Sequence, residues 1–137
     1  PFFCDLDLDG ANHPELRIDG YAGGRLALSR NFSSDPAGDQ FLVGADDASL
    51  IADGSDATRV FFHAADRYGA IRPFAGGEVT VSIAGPGGLI GDRVLHLADS
   101  GGVGAVWVRT APQQPGEIVV TAAHSSLGSK SVRIRAV

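Results

Sequence analysis

Methionine is absent from these 137 residues, and cysteine, tryptophan and lysine occur once each, as Cys4, Trp107 and Lys130. A single thiol cannot close an internal disulfide, so the chain is no small secreted scaffold held by bridges, and a zinc site built on several cysteines is out of reach. No apolar run nears the ~20 residues that span a bilayer. The opening Pro1-Phe2-Phe3-Cys4-Asp5-Leu6 lacks the basic-then-apolar order of a secretory signal. Starting on Pro, with no Met anywhere, the sequence reads as an excised or processed fragment. Basic residues are in deficit: 11 Lys and Arg face 16 Asp and Glu, a net charge of −5. That balance gives no electrostatic footprint for nucleic acid or an anionic membrane surface. The length also excludes an eight-stranded β/α barrel, which needs at least ~200 residues.

What the chain does have is a globular balance, 44% hydrophobic and 20% charged, with 19 Gly and seven Pro set between short runs of alternating apolar and polar residues. No stretch holds a helical period. Glu78 to Ile83 places Val79, Val81 and Ile83 on one face, and Arg59 to Asp66 does the same with Val60, Phe62 and Ala64. The pattern returns in Ala105 to Arg109 (Val106, Val108), Glu117 to Ala123 (Ile118, Val120, Ala122) and Ser131 to Arg135 (Val132, Ile134). Turn chemistry separates these runs at Asp53-Gly54, Tyr68-Gly69, Gly85-Pro86-Gly87-Gly88, Gly101-Gly102, Pro115-Gly116 and Leu127-Gly128. Several short strands at this spacing predict an all-β chain folded as an immunoglobulin-like β-sandwich over residues 46–137.

Residues 1–45 read as an additional N-terminal segment. Leu16 to Tyr21 turns through Gly23-Gly24 into Leu26-Ala27-Leu28, a β-hairpin, and Phe41-Leu42-Val43 is a further short strand. These residues either add strands to the sandwich or end a preceding domain. A lone hairpin is marginal in water.

Residues able to do chemistry are few and scattered. Retaining glycoside hydrolysis, for example, needs two carboxyl groups about 5 to 5.5 Å apart. The only glutamates are Glu15, Glu78 and Glu117, and the last two begin predicted strands at solvent-facing positions. Asp5, Asp7 and Asp9 before Gly10 have the opening of a calcium loop, but position twelve is Leu16 and no helices flank it. The glycines from Gly85 to Gly91 lack the helix a phosphate cradle requires. His13, His63, His96 and His124 have no ligand spacing and are expected as satisfied surface or edge residues. Ser125-Ser126 beside His124 lacks a positioned acid, and Asn31-Phe32-Ser33 is only formally a glycosylation acceptor. No cofactor is expected. If Val106 and Val108 point inward, alternation turns Trp107 and Arg109 outward, as it does Phe61 and Val119 on their strands. An exposed apolar patch marks a contact surface, so these four residues are the candidates for binding or domain contact, covered by residues 1–45 or by a neighbouring domain.

The strings Ala52-Asp53-Gly54-Ser55-Asp56-Ala57-Thr58, Ala65-Asp66-Arg67-Tyr68-Gly69 and Gly85-Pro86-Gly87 resemble bacterial immunoglobulin-like domains of the invasin and intimin type. More narrowly, Pro73-Phe74-Ala75-Gly76-Gly77-Glu78-Val79, Leu89-Ile90-Gly91-Asp92 and Gly104-Ala105-Val106-Trp107-Val108-Arg109-Thr110 resemble the C-terminal domain of bacterial β-galactosidases of glycoside hydrolase family 2. Gly20-Tyr21-Ala22-Gly23-Gly24-Arg25-Leu26-Ala27 with Phe32-Ser33-Ser34-Asp35-Pro36 is similar to the segment preceding that domain; residues 1–13 match nothing in it. In that family the catalytic glutamates belong to the barrel, so the resemblance implies no catalytic residue here. It implies a non-catalytic accessory domain that packs against or spaces the other domains of a bacterial glycosidase, in the cytoplasm or secreted with its parent. The alternatives are a carbohydrate-binding or adhesin-like module and a calcium-stabilised spacer.

Overall fold

A computed structural model describes residues 15–137, and there the alternating runs become strands: β1 (Glu15–Ala22), β2 (Arg25–Ser33), β3 (Gln40–Ala45), β4 (Ser49–Leu50), β5 (Ala57–Ala65), β6 (Glu78–Ala84), β7 (Gly87–Ile90), β8 (Val94–His96), β9 (Val103–Thr110), β10 (Gly116–His124) and β11 (Gly128–Ala136). Helical structure among the described residues is limited to single 3-10 turns at Pro36–Gly38 and Leu97–Ser100. One sheet runs β4-β11-β10-β6-β8 and the other β3-β5-β9-β7. Pairing is antiparallel except where β4 lies parallel to β11. The two layers form an immunoglobulin-like β-sandwich.

The core lies where alternation put it. Val60, Phe62 and Ala64 of β5 and Val106 and Val108 of β9 face Val79 and Val81 of β6, Ile118 and Val120 of β10 and Ile134 of β11, all buried. Each valine, isoleucine or phenylalanine among them contributes roughly 1.5–3 kcal/mol on leaving water. Phe41 of β3 is buried among them, its ring centroid 6.0 Å from that of Phe62. β3, expected with the N-terminal segment, is therefore a strand of the sandwich's four-stranded sheet.

The chain changes sheets at Gly85-Pro86, after β6 in one layer and before β7 in the other. Gly85 has φ 99°, a left-handed conformation, and a Cβ there would run into the Glu117 carbonyl. Only glycine fits this corner. The sequence reading of Gly85 to Gly88 as one continuous turn is corrected: Gly87 and Gly88 already pair with Thr110 and Arg109.

His124 also departs from expectation, since it is buried at the end of β10, 5.4 Å from the Phe41 ring, instead of at the surface. Its Nδ1 accepts the backbone amides of Ser126 and Leu127 at 3.1 and 3.2 Å, which leaves Nε2 to donate to the Gly76 carbonyl at 3.0 Å. Both nitrogens are committed to holding loops. The ring is a structural fastener with neither nitrogen left to activate a serine.

Strands β1 and β2 form a sheet of their own. Ala22 pairs with Arg25 across Gly23 and Gly24, whose φ values of 57° and 74° make the two-residue turn that matches strand twist.

Candidate functional site

The three glutamates do not converge. His124 is opposite Val79 in the β10–β6 register, so Glu78 lies beside Ser125, whose amide donates to its carbonyl at 2.9 Å. Glu117 is at the far end of the same strand pair, eight residues along, which is roughly 26 Å at ~3.3 Å per residue. It is exposed and pairs with Arg133 at 2.6 Å. Glu15 is on the hairpin. Two carboxyl groups so far apart cannot flank one glycosidic bond. Among the described residues no group of His, Cys, Asp and Glu is arranged to hold a metal; Cys4 and the calcium candidates Asp5, Asp7 and Asp9 lie outside them.

The four contact candidates separate into two places. Phe61, Trp107 and Arg109 share the outer face of the β3-β5-β9-β7 sheet, with Arg59 directly across from Trp107 and Ala105 across from Phe61. Val119 is on β10, in register with Ala84 and Arg133 on the outer face of the opposite sheet. A sandwich's two outer faces are divided by its core, with the sheets ~10 Å apart, so Val119 shares no surface with Trp107.

On the first face Trp107 is 51% exposed and Ile90, its partner in the β7–β9 register, 46%. Phe61 is only half-buried for a specific reason: its ring lies over Gly44 of β3, where a Cβ would sit 2.6 Å from the ring. The Arg59 guanidinium stands 5.6 Å from the same ring centroid and grips Asp46 through two bonds of 3.0 and 3.2 Å. The described part of the N-terminal segment does not cover Trp107. It stands beyond His63 and Ile71, which line both the depression over Phe61 and Ala105 and a second groove under the hairpin. Burial holds the His63 imidazole below its ordinary pKa and so favours the neutral ring.

The hairpin base is latched by polar groups. Asp66 is buried and accepts three backbone amides: Ser33 at 2.8 Å from the hairpin, and Tyr68 and Ala70 at 2.8 and 2.9 Å from its own turn. Burial alone would raise its pKa, but these amides and the Arg72 charge outweigh burial and hold the carboxyl below the ordinary value. Around it the Tyr68 and Ser33 hydroxyls donate to Glu15, lowering its pKa, and Arg67 pairs with Glu15 and Asp35. Arg72 binds Asp39.

Sequence comparison gives this arrangement a lineage. The model of the glycoside hydrolase family 2 C-terminal domain 5 matches residues 42–133. The chain belongs to this family. A β-galactosidase of Thermoanaerobacter pseudethanolicus is 30% identical over 138 aligned positions, 96% of this chain and 18% of that protein. A β-galactosidase of Rhizobium radiobacter is 29% identical over 113 residues, 82% of this chain and 80% of that sequence. The chain thus spans less than a fifth of the first of these relatives. Among solved structures, a glycosyl hydrolase family 2 member from Bacteroides cellulosilyticus superposes with a TM-score of 0.73 at 21% identity, over 92% of this chain and 18% of that one. The D00-D0 domain of intimin superposes at 0.56 with 16% identity, over 96% of this chain and 68% of that one. Both share the fold of this chain.

Alternation places Trp107, Arg109 and Phe61 on an outer face, as the structure does, but gives no sign that Ile90, His63 and Ile71 lie on or beside that face. The period-2 signal of Leu89-Ile90 is short and follows a glycine tract, and Ile71 belongs to a loop, where alternation says nothing.

Proposed function

We propose that this domain is a non-catalytic accessory module at the C-terminal end of a β-galactosidase-like glycosidase, where it packs against other domains through the Trp107 face. The observation that carries the reading is the family match, and the separation of Glu78 from Glu117 supports it by leaving no acid pair to break a glycosidic bond. Trp107, Ile90 and Phe61 supply apolar area, and Arg109 and Arg59 supply a charged rim, a composition suited to an inter-domain contact. The test is incubation of the 137-residue chain with chromogenic galactosides. No turnover is expected, and turnover abolished by Glu78→Gln or Glu117→Gln would overturn the reading.

The half-exposed Trp107 beside Arg109 also favours a second reading, an aromatic platform for sugar rings. Calorimetric titration with galacto-oligosaccharides separates the two: heat that disappears in Trp107→Ala supports a carbohydrate-binding module, and its absence leaves the packing role.

A further inference from the structure

The hairpin poses a question that the sandwich does not answer. In the register of β1 with β2, Leu16 faces Phe32, Ile18 faces Arg30 and Gly20 faces Leu28, so one side of the hairpin carries an apolar stripe with an arginine in it. Ile18 and Leu28 are 51% and 55% exposed. Below the stripe is the open groove lined by Leu28, Arg30, Phe32, His63, Tyr68 and Ile71. A two-stranded hairpin needs a third strand or a packed face for stability, and among the described residues this one is held only at its base, by Asp66 and the Glu15–Arg67 group.

We infer that the hairpin is a docking arm, and that its stripe and groove seat an apolar patch rimmed with carboxylates on the domain that precedes this one in the glycosidase polypeptide. This rests on the reading of the chain as the C-terminal domain of a longer enzyme. Three observations select that occupant. The match to the Bacteroides structure covers 92% of this chain, whereas Gln40–Val137 alone would be under three quarters of it; arm and sandwich therefore recur together inside a far longer chain. The arm precedes the sandwich in sequence, so an upstream domain is tethered beside it at high effective concentration, and a modest area suffices. Charge supplies the third: between Leu16 and Phe32 the arm carries Arg17, Arg25 and Arg30 against Asp19 alone, and among the described residues Arg25 and Arg30 make no ion pair. A second copy docked arm to arm would set these arginines against one another.

Hydrogen–deuterium exchange tests this on the 137-residue chain and on the full polypeptide encoded with it. Arm amides from Leu16 to Phe32 should exchange ~100-fold more slowly in the full polypeptide, the suppression of opening expected from burying two such side chains. Leu28→Asp and Arg30→Glu should each restore fast exchange in the arm while the sandwich strands keep their protection. Equal arm exchange in the two contexts would overturn the inference, as would protection that appears in the short chain only at high concentration, which indicates a second copy. Protection untouched by both variants would overturn it too. The readout is independent of turnover: a full polypeptide without glycosidase activity would sink the proposed function and leave the docking result to stand or fall by itself.

Discussion

Phe62 and Ile18 are apolar residues on regular antiparallel strands, yet one is fully sealed and the other half in water. Both are antiparallel ladders, and the arm has the favoured Gly23-Gly24 turn, its pairing interrupted only by a register shift between Gly20 and Tyr21. What differs is the second layer. In the sandwich every inward side chain meets one from the opposite sheet, so burial contributes stability residue by residue, whereas the arm has a single layer and a polar latch at one end. Secondary structure alone therefore does not say where the free energy of this fold resides.

The sharpest way to expose that contrast is truncation of one apolar side chain in each region. Phe62→Ala should cost ~3–5 kcal/mol, the range for emptying a buried aromatic site. Ile18→Ala in the same 137-residue chain should stay within about 0.5 kcal/mol. Chemical denaturation of the two variants measures both, and comparable losses would mean that the arm is packed in the isolated chain after all. Next in size is the corner between the layers. Gly85→Ala places a side chain at φ 99° and against the Glu117 carbonyl, and should cost at least ~1–3 kcal/mol from backbone strain.

The latch connects the two regions and can be weakened without touching either. Asp66→Asn halves the acceptor capacity facing the Ser33, Tyr68 and Ala70 amides and should cost ~1–3 kcal/mol for each donor left unsatisfied. Its pH dependence has a fixed sign. Because the folded-state pKa of Asp66 is depressed, its contribution is complete above the unfolded value of about 3.9 and is lost as pH falls from there through the folded value. Urea midpoints of wild type and Asp66→Asn should thus differ most at neutral pH and approach each other near pH 3. A gap that holds constant or widens on acidification would remove Asp66 as the titrating anchor.

These residues also mark what was legible beforehand. Alternation found five strands of the sandwich, the hairpin and the inward set, because period 2 is a direct imprint of a face that must be buried. The Asp53 turn was equally readable: its carboxylate takes the Ser55 and Asp56 amides at 2.7 and 2.8 Å, a purely local act. Asp66 shares that local signature, but its bond to Ser33 spans 33 positions, and no local pattern encodes it. The two-residue β4 and three-residue β8 are too short to show a period. Alternation groups Val119 with Trp107 because it tells inside from outside but not which of two sheets a strand joins; that assignment needs the pairing of β10 with β6 and β11.

The smallest expected effect is the one that separates stability from contact. Trp107→Ala removes the only tryptophan, yet its ring stands on the outer face of β9 with half its surface already in solvent, while Val106 and Val108 on the same strand fill the core. In the 137-residue chain its stability should change by no more than a surface substitution allows, within about 0.5 kcal/mol, with a correspondingly small shift of the thermal midpoint. In the full polypeptide the same change should lower the midpoint by more than it does in the short chain, because on the proposed packing the truncation empties a contact with another domain. Equal, near-zero shifts in both contexts would return Trp107 to the class of isolated surface aromatics and remove this face from the proposed packing.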